Sequence, residues 1–181
     1  MPSPTCTIDA SSVIALDHLD LLPQLSFLFS RVLLPKAVRT ELFKRRTTKD
    51  RLRAVLDSYA FVERCDDYDK GAVDILLIER ATQGVEDRGE VEAVVQAAKV
   101  GAMVVVDDPW GRELAARFDC DYHGTFWVLK RFFELGLTPS ATTRNHFVQL
   151  FRRGTRMPWP AVNEFLVAIG EPPLTETGGA L

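Results

Sequence analysis

Apolar positions along this chain follow two alternating habits. Short runs with little polar interruption occur at residues 5–9 (TCTID), around Val32 to Leu34, and from Met103 to Val106 (MVVV). Such runs, bounded by Gly, Pro or Asp, fit strands buried on both faces of a parallel sheet. Between them apolar residues recur every three or four positions: Val13, Leu16 and Leu19; Val38 and Leu42; Val91, Val94, Val95 and Ala98; Leu114, Ala115 and Phe118. That period predicts helices, the first continuing to about Leu25 and the second from Pro35 to about Arg46. Further helices are predicted near residues 72–83, 126–135, 141–154 and 161–170. A helix followed by a short strand is predicted in RAVLDSYAFVERC, and a brief strand in DCDYH. Pro35 and Pro109 suit first helical positions, Ser11 and Ser12 suit an N-cap, and Gly101 suits a C-cap. Strands alternating with helices predict an α/β domain with a mostly parallel sheet.

Two of these strands end in acid. Residues 5–9 finish at Asp9, and the central run finishes at Asp107 and Asp108, each just before a helix. In open α/β sheets the carboxyl edge is where ligands bind. One Asp there is accounted for as a helix cap. The same device repeated on two strands points beyond capping, because a parallel sheet brings both ends to one edge. Glu90, at the start of its helix, suits the helix dipole as well as a site. Glu41 lies beside Leu42, and pattern alone does not single it out from a solvated Glu paired with Arg45.

Charge is unevenly spread. The net charge is −3, yet Arg31 to Arg64 holds ten bases and four acids, and Cys65 to Glu92 holds nine acids and three bases. A basic surface beside an acidic one is hidden by the whole-chain balance. Within the basic stretch, KRRTTKDRLR fits a solvated face and a phosphate-contact surface equally well. The three cysteines are scattered without a CxxC, so neither a disulfide framework nor a zinc site is expected. No apolar run approaches the ~18 residues of a membrane span. The opening MPSPTCTIDASS shows no basic-then-apolar signal pattern, so a cytoplasmic protein is expected.

No GxGxxG follows a strand, and neither a phosphate-loop motif nor a GxSxG elbow is present. What remains is a set of carboxylates from separate segments: Asp9, Glu90, Asp107 and Asp108. Acids sharing a site repel one another, and a divalent cation relieves that repulsion. Oxygen donors without His or Cys favour Mg²⁺ or Mn²⁺ over zinc. Such ions serve phosphodiester hydrolysis.

The blocks TIDASSVIAL, LPKAVRTEL, DRGEVEAVVQAAKVGAMVVVDD and YHGTFWVLKRFFELGL, in this order, resemble those of PIN-domain nucleases, and most of all the VapC-like toxin branch. The resemblance covers residues 5–137 and implies a three-layer α/β/α nuclease domain over 1–137. Past the last matching block, helical periodicity predicts a C-terminal helical extension over 138–170, and 171–181, rich in Pro and Gly, reads as a frayed tail. The resemblance also implies a Mg²⁺- or Mn²⁺-dependent endoribonuclease with RNA as substrate, and the toxin branch adds an antitoxin as a candidate partner. Asp9, Glu41, Glu90 and Asp108 then correspond to the catalytic acids, and Asp9, Glu90, Asp107 and Asp108 to the metal ligands. Ser11 corresponds to the small polar residue two positions past Asp9, and Lys44, Arg45 and Arg46 supply substrate contacts. Many relatives carry another acid shortly past the strand-end Asp, where this chain has Pro109, Trp110 and Gly111. Asp107 is the substitute the resemblance leaves, and a catalytically weak nucleic-acid-binding protein is the alternative it leaves open. The aromatic helix after Thr125 fits a buried core and a homodimer surface equally.

Overall fold

A computed structural model describes residues 4–44, 49–81 and 87–174. Among them are five strands: β1 (Thr5–Ile8), β2 (Arg31–Leu34), β3 (Val62–Arg64), β4 (Met103–Val105) and β5 (Tyr122–His123). All pair in parallel, in the order β3-β2-β1-β4-β5. The chain lays strands outward on one side of β1 and then returns to the other side. The reversal therefore falls between β1 and β4, whose register pairs Ile8 with Val105. The carboxyl edge at such a switch point is open to a ligand, because the connections leave it in opposite directions.

The chain divides into two compact units, 1–123 and 124–181. In the first, α1 (Ala10–His18), α2 (Lys36–Leu42), α3 (Lys49–Ser58), α4 (Lys70–Ala81), α5 (Arg88–Val100) and α6 (Pro109–Arg117) accompany the sheet, an arrangement consistent with a three-layer α/β/α fold. Helix α5 packs on β1 and β4, and its Val91, Val94 and Val95 join Val104, Val106 and Leu114 in a core that excludes water. Gly101 caps α5 in the left-handed region, at φ 67°, which a residue without Cβ adopts cheaply.

Two helices are shorter than the periodicity predicts. α1 stops at His18 because Asp20 takes a left-handed φ of 55°, and a 3-10 turn over Leu22–Phe27 follows. α2 stops at Leu42, where the apolar face ends and the basic run begins. The residues from 45 to 48, including Arg45 and Arg46, lie outside the described residues, as do 82–86 and 175–181.

In the second unit, α7 (Thr125–Glu134), α8 (Ser140–Arg152) and α9 (Trp159–Ala168) surround buried Phe132, Phe147, Leu150 and Leu166. Phe165 packs edge-on to Phe126, Phe133 and Phe147, with ring centroids 5.7–6.3 Å apart. The aromatic residues of α7 thus serve a core. Residues 171–174, placed in the tail by sequence, are tied down. Leu174 is buried and exchanges two hydrogen bonds with Asn163, and Arg144 donates to the Pro172 carbonyl at 2.9 Å. Among the described residues no helix is long and apolar enough to cross a membrane.

One buried acid fastens α2 to α5. Glu92, 1% exposed, accepts the Ala37 N–H at 2.7 Å and the Arg88 Nε–H at 2.8 Å. Replacing it with Ala leaves the Ala37 amide without that acceptor. Glu92→Ala is expected to lower unfolding free energy by about 2 kcal/mol in urea titrations. Glu92→Gln, which retains an acceptor oxygen, is expected to lose clearly less.

Candidate active site

Asp9 follows directly on β1 and caps α1. Its Oδ1 accepts the Ser12 N–H at 2.8 Å and its Oδ2 accepts the Ser11 hydroxyl at 2.7 Å. The end of β4 repeats the device two residues further on. Asp108 caps α6, its Oδ1 accepting the N–H groups of Trp110 at 2.9 Å and Gly111 at 3.4 Å. Both caps satisfy helix amides that have no partner within the helix.

The two strand ends are joined through Asp107. Its N–H donates to Asp9 Oδ2 at 3.4 Å, and the buried Ser12 hydroxyl donates to Asp107 Oδ2 at 3.2 Å. Asp107 is therefore the strand-end acid that meets Asp9, while Asp108 Oδ1 turns to the amides of its own helix. Arg112 offsets part of this charge. Its Nε donates to the Val106 carbonyl at 3.1 Å, and its guanidinium lies 3.5 Å from Asp107 Oδ1.

Glu90 reaches the same place from the first turn of α5. A Cβ on Gly111 would stand 2.6 Å from Val106 Cγ2 and 3.4 Å from Glu90 Cγ. Any side chain there would displace a stiff β-branched residue, so α6 approaches β4 and Glu90 only because position 111 is bare. Glu41 lies near the start of α5 too, its Oε2 3.4 Å from where a Cβ on Gly89 would sit. Glu41 and Glu90, together with Lys36, Lys44 and Arg88, line a cavity of about 500 Å³.

The acids feel one another. Burial pushes the Asp9 carboxyl up to about 6, and the Asp107 charge adds to it, against the downward pull of the Ser11 and Ser12 hydrogen bonds. Burial pushes Glu90 up to about 7, with further rises from the charges of Asp9, Asp87 and Glu41. Among the described residues no group of three or more His, Cys, Asp or Glu side chains is arranged to hold a metal ion. The donor chemistry nevertheless fits a hard divalent cation. The donors are all oxygens, and a cation would relieve both the cost of burying these charges and the repulsion that adds to it.

Of the residues singled out by sequence, Asp9, Asp107, Glu90 and Glu41 are thus electrostatically coupled, with Asp108 and Ser11 beside them. Lys44 lines the cavity, and Arg45 and Arg46 are outside the described residues. Sequence reading offered Ser11 and Ser12 as the N-cap of the first helix; the structure gives the cap to Asp9 and places both serines inside α1, where Ser12 holds Asp9 and Asp107 together. Sequence reading passed over Arg112 and the stack of Trp110 on Arg80. That guanidinium, 4.4 Å from the ring centroid, pairs at 2.7 Å with Asp87 at the mouth of α5. Nothing local in sequence announces that last contact.

Two outcomes follow from the raised acids and the bare glycine. The folded state holds protons on Asp9 and Glu90 that the unfolded chain releases near pH 4, so it binds more protons between about pH 4 and 7. Their contribution is fully favourable below the unfolded values and is lost as pH rises through 6 and 7. The metal-free protein should therefore melt at a lower temperature at pH 8 than at pH 5, and Asp9→Asn should flatten that slope. Gly111→Ala should cost about 2 kcal/mol of unfolding free energy, measured by urea titration.

A family model described as a PIN domain matches residues 5–171. No curated protein matches the chain. The matched span includes residues 138–171, for which sequence reading found no counterpart. With nearly the whole chain covered, and with acids gathered where β1 and β4 end, the protein belongs to the PIN-domain family, whose members are generally nucleases.

Proposed function

We propose that this protein is a Mg²⁺- or Mn²⁺-dependent endoribonuclease of the VapC-like kind. On this reading it acts in the cytoplasm as the toxin of a toxin–antitoxin pair, with RNA as substrate, an antitoxin as restraining partner and a homodimer as its assembled form. The observation that carries the reading is the junction of Asp9 and Asp107 across the β1/β4 switch point, with Glu90 coupled to them.

Asp9, Glu90 and Asp107 would hold the cation, with Asp108 beside them. When bound, the cation supplies Lewis-acid stabilisation of charge developing on phosphate oxygens. Ser11 and Ser12 orient the two aspartates through their hydroxyls, and Arg112 keeps Asp107 from turning away. Lys44, on the cavity beside Glu90, draws the phosphodiester in. In hydrolysis water adds to phosphorus, one P–O bond breaks and the leaving oxygen takes up a proton. Glu41, lining the same cavity, is placed to exchange that proton with solvent.

Gly111 favours a second reading, a PIN fold that binds nucleic acid and cleaves it poorly, because no acid stands at that position and none fits. One experiment separates the two. The full chain is incubated with single-stranded RNA and Mn²⁺, with and without chelator. Cleavage that the chelator abolishes supports the nuclease. RNA retained uncut under every metal condition supports the binding protein. Asp9→Asn and Asp107→Asn are expected to slow cleavage by roughly 100-fold or more, the scale seen when a charge-stabilising group is removed. Asp108→Asn is expected to slow it less, since Asn caps a helix as well as Asp does.

A further inference from the structure

A second cavity, of about 350 Å³, is lined by Lys36, Arg39, Thr40, Phe43, Arg53 and Arg64. It shares Lys36 and Thr40 with the cavity that holds Glu41 and Glu90, so the two meet along one side of α2. Their linings differ sharply. The first mixes acids with bases, and the second contains four cations and no acid.

Two of those cations are structural. Arg39 donates to the Leu34 carbonyl at 2.6 Å and makes a two-pronged pair with Asp66, at 2.9 and 3.1 Å. Arg64 is paired with Asp57. Their charges are answered, and their guanidinium groups hold the walls. Lys36 and Arg53 differ, for among the described residues neither is paired with an acid. The Arg53 guanidinium carbon lies over the Phe43 ring, 4.7 Å from its centroid. A guanidinium held on an aromatic face loses little freedom when its N–H fork takes a phosphate. The two remaining like-signed groups, Lys36 and Arg53, face one concavity and repel each other unless an anion enters. The bland account, a solvated basic surface, explains the paired arginines and leaves the convergence of the other two unexplained.

We propose that this cavity is a phosphate subsite for the RNA strand. Lys36 and Arg53 hold a backbone phosphate flanking the one at the acids, and α2 carries the strand between the two. The inference rests on the nuclease reading and deepens it. The Phe43 face is already covered by Arg53, so a base has no stacking surface there, and recognition is of backbone, independent of sequence. The protein therefore grips RNA that extends past the cut in one direction and neglects fragments that end at the cut.

The test uses the full chain carrying Asp9→Asn, so that RNA is bound without being cut. Fluorescence anisotropy with a labelled single-stranded RNA oligonucleotide is followed across a salt series. Lys36→Gln and Arg53→Gln are each expected to make the plot of log affinity against log salt shallower by roughly 0.7, the value for one lost contact to a single strand. Arg53→Lys should keep most of the slope, and Lys99→Gln, at the far end of α5, should keep all of it. On the otherwise unmutated chain, Arg53→Gln should raise KM severalfold and leave kcat within twofold. RNA binding and cleavage that survive both Gln changes with slope and KM unaltered would overturn the subsite and leave the nuclease standing. Absence of both binding and cleavage from the unmutated chain would overturn the two together.

Discussion

The carboxylate of Asp9 is the interaction from which the rest of the site hangs. It lies 1% exposed between two parallel strands, where a bare negative charge would be prohibitively costly. Three donors make its position tenable: the Ser12 amide, the Ser11 hydroxyl and the Asp107 amide. Two of them also do structural service, the Ser12 amide starting α1 and the Asp107 amide tying the end of β1 to the end of β4. The same group is still raised toward 6 by its surroundings, so stabilisation is incomplete. A residue that caps a helix, links two strands and remains electrostatically unsatisfied is a poor choice for stability alone.

Around that charge the helices are held by short polar ties and bare backbone. Glu92 binds the opening of α2 to α5, Gly89 admits Glu41 beside it, and Gly111 admits α6 against Val106 and Glu90. Trp110 steadies Arg80, which pairs with Asp87 at the entrance of α5. The tripeptide Pro109-Trp110-Gly111 looked in sequence like a loss, because relatives carry an acid nearby. In the fold each member has a task. Pro109 opens the helix, Trp110 covers Arg80, and Gly111 makes the close approach possible.

Much of the fold was legible because strand and helix periods are local. The runs at 5–9, 32–34 and 103–106 became three parallel strands, and Gly101 capped its helix. The overextended α1 shows the limit of period counting. A left-handed Asp20 ends the helix although apolar residues continue at helical spacing. In the site, Asp9 and the Asp107-Asp108 pair were readable from their place at strand ends. Which of the last two turns toward Asp9 was not, since that depends on the register of β1 against β4 and on the Ser12 hydroxyl. Glu92 was likewise hidden, because an acid on a helix looks solvated until its neighbour helix is known.

The bond between the Asp107 amide and Asp9 spans 98 residues of chain. Long loops close slowly, since their entropy is spent before any contact rewards it. A ribosome must therefore release the chain past Asp107 before the two aspartates can meet. Until then Asp9 stands at the end of β1 without the Asp107 amide that follows β4, and products truncated before residue 107 share that state. The acidic cluster thereby stays incomplete until β4 has been made, through topology alone.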